Sequence, residues 1–242
     1  MPIARPFSLD LDILRQPDDT TCGQTCLHAV YRYFGEDVSL DGLIAEVPEL
    51  EGGGTHAVTL ANHALRRGYG ALIHTYNLTL FDPSWFEGRP GDLAERLRAQ
   101  AGAKDDPKLK VATEAYLEFL SLGGELTMQD LTPGLLRRWL EQDRPILTGL
   151  SATFLYRSSR EVGNRKLVPD DVGGAPTGHF VVLCGWDAEE RSVRVADPLA
   201  DNPRFHDHIY WLPAQRVINA ILLGVLTYDA NLLVLDPPES ER

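Results

Sequence analysis

The 242-residue sequence contains little cysteine, a minority of basic side chains and no long hydrophobic run. Three cysteines are too few, and odd in number, for a disulfide framework to hold the fold together. No apolar segment approaches the roughly 20 residues that a membrane-spanning helix needs. With 23 basic and 35 acidic side chains the formal charge is −12, which disfavours general binding to nucleic acid or to an anionic membrane.

The N-terminal segment lacks the layout of a secretory signal peptide. Asp10 and Asp12 interrupt the only stretch that could serve as its apolar core. We therefore expect a reducing, cytoplasmic environment. In that setting a cysteine is of more interest as a thiol than as half of a disulfide.

Hydrophobic periodicity predicts helices in the first part of the chain and strands mainly in the last part. The predicted helices span 22–34, 39–47, 56–67, 91–101 and 109–122, with one more that begins at Thr132 and another near 213–223. The predicted strands span 71–76, 145–156, 179–186, 191–196 and 231–235. This order is typical of an α+β fold with a helical N-terminal lobe and a C-terminal lobe of antiparallel sheet.

We expect a single domain over residues 1–235, since the length and the 43% hydrophobic content suit one sizeable core. Within it, residues 80–145 form an additional helical region. Residues 157–178 are polar and rich in Gly, Pro and Asp, which predicts a long surface loop. We expect substrate contacts from these two regions and a disordered tail over 236–242.

Cys22 stands at the first turn of the first predicted helix, just after Thr20 and Thr21 at the N-cap position. The positive end of a helix dipole favours a thiolate over a thiol. Gly23 lacks a side chain, which would leave room beside the sulfur for a substrate carbonyl. The alternative is that Cys22 is a small core residue, as we expect for Cys26 and Cys184.

The sequence offers no convincing metal or nucleotide site. His28 projects about 120° away from Cys22 at helical spacing, so that Cys22, Cys26 and His28 do not form a ligand set. His206 and His208 flank Asp207 without further ligands nearby. Because Walker and Rossmann glycine patterns are missing as well, we expect no cofactor and no metal.

His179 is the best candidate for a base that would activate the thiol. It opens a run that is apolar on both faces and therefore buried, and it follows the glycine-rich end of the 157–178 loop. A histidine at the mouth of a buried strand beside a loop is well placed for proton transfer.

Asp197 is the candidate for orienting that histidine. A tight turn at residues 187–190 predicts a hairpin in which His179 lies opposite position 197 or 198. An aspartate beside an imidazole holds its tautomer and stabilises the imidazolium. The alternative is a solvated aspartate in a turn before Pro198.

Gln16 precedes Cys22 by six residues. Its amide NH2, together with the backbone N–H of Cys22, could stabilise the oxyanion of a tetrahedral intermediate. Taken alone, Gln16 would be read as a surface glutamine.

Together these segments resemble the papain-like bacteriocin-processing peptidase family, whose members cut double-glycine leader peptides. The matching motifs are QPDDTTCGQTCL at 16–27, GHFVVLCGWD at 178–187 and the Asp-Pro pair at 197–198. A Gly-Thr pair at 54–55 and the helix after it are also similar to that family.

The resemblance implies a papain-like two-lobe fold with Cys22 as nucleophile, His179 as general base and acid, Asp197 as orienting residue and Gln16 as oxyanion contact. The implied activity is that of a cysteine peptidase acting on a peptide or amide bond through a thioester. Two alternatives stay open. An acyl or peptidyl transferase would use the same residues with an amine as acceptor, and a non-catalytic peptide-binding module would keep only the fold.

Overall fold

The computed structural model describes residues 6–50, 53–87, 92–163, 167–227 and 230–238. The α-helices in these ranges are α1 (Cys22–Tyr33), α2 (Leu40–Glu46), α3 (Ala57–Arg66), α4 (Asp92–Ala103), α5 (Pro107–Ser121), α6 (Pro133–Leu140), α7 (Ala152–Tyr156) and α8 (Ala214–Leu223). The strands are β1 (Phe7–Ser8), β2 (Gly70–Thr75), β3 (Glu125–Thr127), β4 (Ile146–Ser151), β5 (Glu161–Val162), β6 (Val168–Pro169), β7 (Gly178–Asp187), β8 (Ser192–Ala196), β9 (Ile209–Pro213) and β10 (Asn231–Asp236). Short 3-10 helices span Pro83–Phe86 and Gly224–Thr227.

An eight-stranded sheet runs through the protein in the order β3-β2-β10-β4-β7-β8-β9, with β1 pairing to β7. Its pairings are antiparallel except for the parallel β2–β3 pair. A separate hairpin consists of β5 and β6. This architecture confirms the α+β fold class, although β2 and β3 from the first half of the chain belong to the same sheet as the later strands.

Helix α1 lies in the protein interior, against β7. Ten of its twelve residues are buried, including the polar Gln24 and Thr25. The helix is covered on several sides, by β7, β4, α2 and α3. Strand β4 is buried along its whole length, and β7 is buried from His179 to Trp186. The start of α1 and the start of β7 are therefore placed by the core of the protein.

The predicted helices and most predicted strands correspond to observed elements within one to three residues at each end. The predicted strand over 145–156 is wrong in its second half, where the chain turns into α7. Ser151 accepts a hydrogen bond from the backbone N–H of Phe154, 3.4 Å away, at the start of this helix. Arg157 ends it in the left-handed conformation, with φ 55°. Local hydrophobicity does not distinguish a buried strand from a buried helical turn.

The sequence analysis predicts none of the strands β1, β3, β5, β6 and β9. The first four contain only two or three residues, too few to show a hydrophobic alternation. The 157–178 loop contains the β5–β6 hairpin, and the 80–145 region contributes β3 to the main sheet. The 80–145 region is therefore part of the main sheet and not only a helical addition.

The prediction of disorder from residue 236 is wrong at its first residue. Asp236 ends β10, and its carboxylate accepts a hydrogen bond of 2.7 Å from Arg144 Nε. Residues 239–242 lie outside the described part of the chain, as do residues 51, 52 and 91 from the predicted loop and helix. Among the described residues no helix is both long and apolar enough to span a membrane.

Candidate active site

Cys22 is the first residue of α1 and is 9% exposed, on the wall of a cavity of about 200 Å³. The N-cap residue Thr21 makes no capping hydrogen bond with its side chain. Because the backbone N–H groups of a first helical turn have no partners within the helix, such a turn is suited to meet a negatively charged oxygen.

Gly23 has a different role from the one expected. A Cβ atom at this position would lie 2.6 Å from Thr55 Cγ2 and 3.2 Å from Leu60 Cδ1. The space that the missing side chain leaves is thus filled by the loop before α3 and not kept for a substrate. The glycine allows Thr55, which lines the same cavity as Cys22, to pack against the start of α1.

His179 follows Gly178 at the start of β7 and is 6% exposed. Its Nε2 lies 2.9 Å from Asp197 Oδ1, and its ring lines the same cavity as Cys22, close enough for that side chain to raise the pKa of the imidazole. Because Nε2 faces the carboxylate, Nδ1 is the ring nitrogen left for the thiol. The structure therefore places Cys22 and His179 on one cavity and His179 in a hydrogen bond with Asp197.

The predicted hairpin between β7 and β8 exists, but its register differs from the expected one. Leu183 pairs with Val195 and Gly185 with Arg194, so the ladder shifts by one residue at Cys184. The ladder ends at the pair of Val182 and Ala196. His179 and Asp197 are therefore not paired in the ladder, and their side chains meet beyond its end.

The Asp197 backbone is held from the β9 side. Its N–H donates to the carbonyl of His208 at 2.8 Å, and its own carbonyl lies 2.8 Å from His208 Nδ1. These contacts keep Asp197 beside the sheet although β8 has ended.

The Asp197 carboxylate is 1% exposed and accepts five hydrogen bonds from described residues. Oδ1 receives His179 Nε2 and the N–H of Leu199. Oδ2 receives the hydroxyls of Tyr156 and Tyr210 and the amide of Asn202. Sequence reasoning missed the two tyrosines and Asn202, and only the nearness of Asn202 to Asp197 in the chain could have suggested one of them.

The charges of this pair stabilise each other. Burial by itself would lower the pKa of His179, but the Asp197 carboxylate and the contact with Cys22 raise it above its ordinary value. Burial by itself would raise the pKa of Asp197, yet His179 and the hydrogen bonds from Tyr210 and Leu199 lower it. The arrangement favours an imidazolium held between a carboxylate and the Cys22 sulfur.

The other two cysteines lie in the core of the protein. Burial raises the pKa of the Cys26 thiol well above its usual value, and it raises that of Cys184 to about 12. Both are completely buried, in agreement with the expected packing role. Among the described residues, no group of three or more His, Cys, Asp or Glu side chains could hold a metal ion.

Gln16 is buried rather than on the surface, with 6% exposure. Its backbone N–H donates to the carbonyl of Pro198 at 2.9 Å, which ties it to the residue after Asp197. Nε2 donates one hydrogen to the Asp18 carbonyl at 2.6 Å, so its second hydrogen remains available.

A larger cavity, of about 630 Å³, adjoins the smaller one at Gly178 and His179. Gln16, Tyr156 and residues of the 157–178 loop line it, as do four carboxylates, those of Asp18, Asp19, Glu161 and Asp201. Against expectation, the described lining residues of the two cavities include none from 80–145. The histidine thus lies where the two cavities meet, with the cysteine on the smaller one.

A thiol at the start of a buried helix, beside a histidine on the neighbouring sheet, is the layout of the papain-like fold. Solved structures bear this out. A protein described as a C39-like peptidase from Bacillus anthracis superposes with a TM-score of 0.52 and 14% identity, over 98% of this chain and 100% of that chain. At this identity the likeness concerns the fold, and it agrees with the family that the motifs resemble.

A double-glycine motif protease from an AMS/PCAT transporter, solved in complex with the leader peptide, was also found. It gives a TM-score of 0.43 at 14% identity and covers 98% of this chain and 97% of its own. Comparisons with protein-family models and with curated protein sequences give no match.

Proposed function

We propose that the protein is a cysteine peptidase that cleaves a peptide or amide bond through a thioester on Cys22. The observation that supports this most directly is that Cys22 and His179 line one cavity while His179 Nε2 lies 2.9 Å from Asp197 Oδ1. A nucleophile, a base within hydrogen-bond reach and a third group that orients the base are the parts that covalent catalysis needs.

In the first half-reaction the Cys22 thiolate attacks the carbonyl carbon of the scissile bond. The resulting oxyanion is stabilised by free N–H groups at the start of α1 and by the remaining N–H of the Gln16 amide. When the tetrahedral intermediate collapses, the C–N bond breaks. His179 gives its proton to the departing amine, and an acyl group stays on Cys22 as a thioester.

In the second half-reaction neutral His179 takes a proton from water, whose oxygen attacks the thioester carbon. The C–S bond then breaks, the acid is released and the proton on His179 restores the ion pair with Cys22. Throughout the cycle Asp197 keeps Nε2 engaged, so that Nδ1 stays directed towards the sulfur.

The two cavities suggest where a peptide would lie. A chain that crosses the site would enter the smaller cavity at Cys22 and the larger one beyond His179, because the two adjoin at that histidine. Gly53 and Gly54 border the Cys22 side, residues of the loop 157–178 border the other side, and Gly178 borders both.

The test is cleavage of a proteome-derived peptide mixture, with new N-termini labelled and identified by mass spectrometry. We expect wild type and a Cys184→Ala control to produce the same new termini, and Cys22→Ala to produce none. Cleavage in 18O water distinguishes the acceptors, because hydrolysis places the label in the new carboxylate and transfer to an amine does not. Peptide retention without cleavage by wild type would instead favour a binding module.

A further inference from the structure

The Asp197 carboxylate is surrounded by hydrogen-bond donors that do not belong to any of the sequence motifs. Tyr156 Oη lies 2.8 Å and Tyr210 Oη 2.5 Å from Oδ2, and Asn202 Nδ2 lies 3.0 Å from the same oxygen. The two tyrosines come from different elements, Tyr156 from the end of α7 and Tyr210 from β9. They meet at one oxygen only because the tertiary fold brings these elements to the end of β8.

A carboxylate with 1% exposure has lost its water and needs replacement donors to stay ionised. Hydrogen bonds to an ionised acceptor are stronger than neutral ones, and they favour the charged form. Since three donors occupy Oδ2, the carboxylate cannot rotate without breaking them. Oδ1 is thereby directed at His179 and at the Leu199 N–H.

Aromatic packing holds both phenols in place. The Phe205 ring stacks on Tyr210, with centroids 3.8 Å apart, and meets Tyr156 edge-on at 6.4 Å. Tyr156 also lies against the catalytic histidine, its ring centroid 6.1 Å from that of His179. The Tyr156 side chain therefore touches both the histidine and the carboxylate that orients it.

We propose that Tyr156 and Tyr210 are positioning residues that keep Asp197 ionised and its Oδ1 aimed at His179. The proposal rests on the proposed function, because it assigns these hydroxyls a task within the same site. Neither tyrosine belongs to the motifs through which the site was found in the sequence.

Loss of either tyrosine hydroxyl should shift the pH dependence of Cys22 reactivity in one direction. The other titratable groups around Asp197 are His179 on β7, the thiols of Cys22 and Cys26 on α1, and His208, which contacts its backbone. Removing a hydroxyl that donates to the carboxylate weakens the charged form of Asp197. The pKa of Asp197 therefore rises, and the carboxylate is protonated at a higher pH than in wild type. Because the imidazolium loses its counter-charge at that pH, the imidazolium–thiolate pair is also lost at a higher pH.

The experiment measures the rate of Cys22 alkylation by iodoacetamide between pH 4 and 9, read by peptide mass spectrometry. The variants are Tyr156→Phe, Tyr210→Phe and the double variant, each of which keeps its aromatic ring. Tyr76→Phe is the matched control, because the Tyr76 hydroxyl is buried and has no hydrogen-bond partner among the described residues. Thermal unfolding of each variant checks that the fold is retained.

We expect the acid limb of the rate profile to move up by about one pH unit in the double variant and by less in each single variant, the size of shift that loss of such donors produces. The control should coincide with wild type. Folded single variants whose acid limbs also coincide with wild type would overturn the proposal, even if the double variant does not fold. If wild-type Cys22 is not alkylated selectively, the proposed function fails, and this inference fails with it.

Discussion

His179 Nε2 lies 2.9 Å from Asp197 Oδ1 although the β7–β8 ladder that should align them ends at Val182 and Ala196. The contact is made by side chains beyond the paired strands, where His208 holds the Asp197 backbone and Tyr156 and Tyr210 hold its carboxylate. Such a contact depends on the packing of several elements at once.

Replacing Asp197 by Asn should abolish most activity while leaving the size of the side chain unchanged. An amide cannot balance the imidazolium charge, and its NH2 group would meet the hydroxyls of Tyr156 and Tyr210 as a second donor. We expect kcat/KM on a cleaved peptide to fall by at least about 100-fold. Asp105→Asn, at an exposed aspartate that lines neither cavity, is the control. Retention of full activity by Asp197→Asn would contradict the assigned role.

Iodoacetamide at pH 7 should label Cys22 much faster than Cys26 or Cys184. Cys22 borders a cavity that His179 also lines, whereas the other two thiols are fully buried and burial raises their pKa. His179→Ala should slow the labelling of Cys22 and leave the other two unchanged. Comparable rates at all three cysteines would argue for a binding module instead.

Gln16→Ala should lower kcat by about 100- to 1000-fold, as expected when one oxyanion donor is removed, with a smaller effect on KM. The exposed Gln215 on α8 provides a Gln→Ala control. A rise in KM at constant kcat would show that Gln16 binds the substrate and does not stabilise the transition state.

Gly23→Ala should destabilise the protein by about 1–3 kcal/mol, because its Cβ would overlap the Thr55 methyl group. Replacing Thr55 by Ser removes that methyl group. The double variant Gly23→Ala/Thr55→Ser should therefore regain part of the lost stability in urea unfolding. Additive effects of the two substitutions would contradict the proposed contact.

The His179–Asp197 pair should make stability depend on pH in a defined direction. The pKa of His179 is raised from 6.5 to about 10, so its contribution is complete below pH 6.5 and is lost as the pH rises towards 10. The pKa of Asp197 is lowered, so its contribution is present above pH 3.8 and is lost as the pH falls further. Urea unfolding of wild type and His179→Gln should differ most between these limits, near pH 5–6.

If the unfolding free energies of wild type and His179→Gln differ by a constant amount from pH 5 to pH 10, His179 has the same pKa in the folded and unfolded states, which contradicts this prediction. The same measurement on His28→Gln, a buried histidine outside the site, provides the comparison. Burial lowers the pKa of His28, so its pH dependence should have the opposite sign.

The amino-acid sequence by itself determined the elements whose signals are local. The helix that begins at Cys22, the buried strand that begins at His179 and the turn before β8 each follow from hydrophobic period and turn residues within a short window. The order of predicted helices and strands led to the α+β fold class. Cys22, His179 and Asp197 were proposed as the site from their places in those elements and from the family resemblance. For Gln16 the sequence and the family resemblance suggested an oxyanion contact, whereas its burial is a finding of the structure.

Tertiary structure alone decided how those parts meet. The register shift at Cys184, the turn into α7 after Ser151 and the packing of Thr55 against Gly23 depend on neighbours that are distant in the chain. The same is true of Tyr156 and Tyr210, which reach one carboxylate oxygen from α7 and β9. Periodicity specifies which face of an element is buried, but only the packing of α7, β8 and β9 specifies which polar groups share that interior.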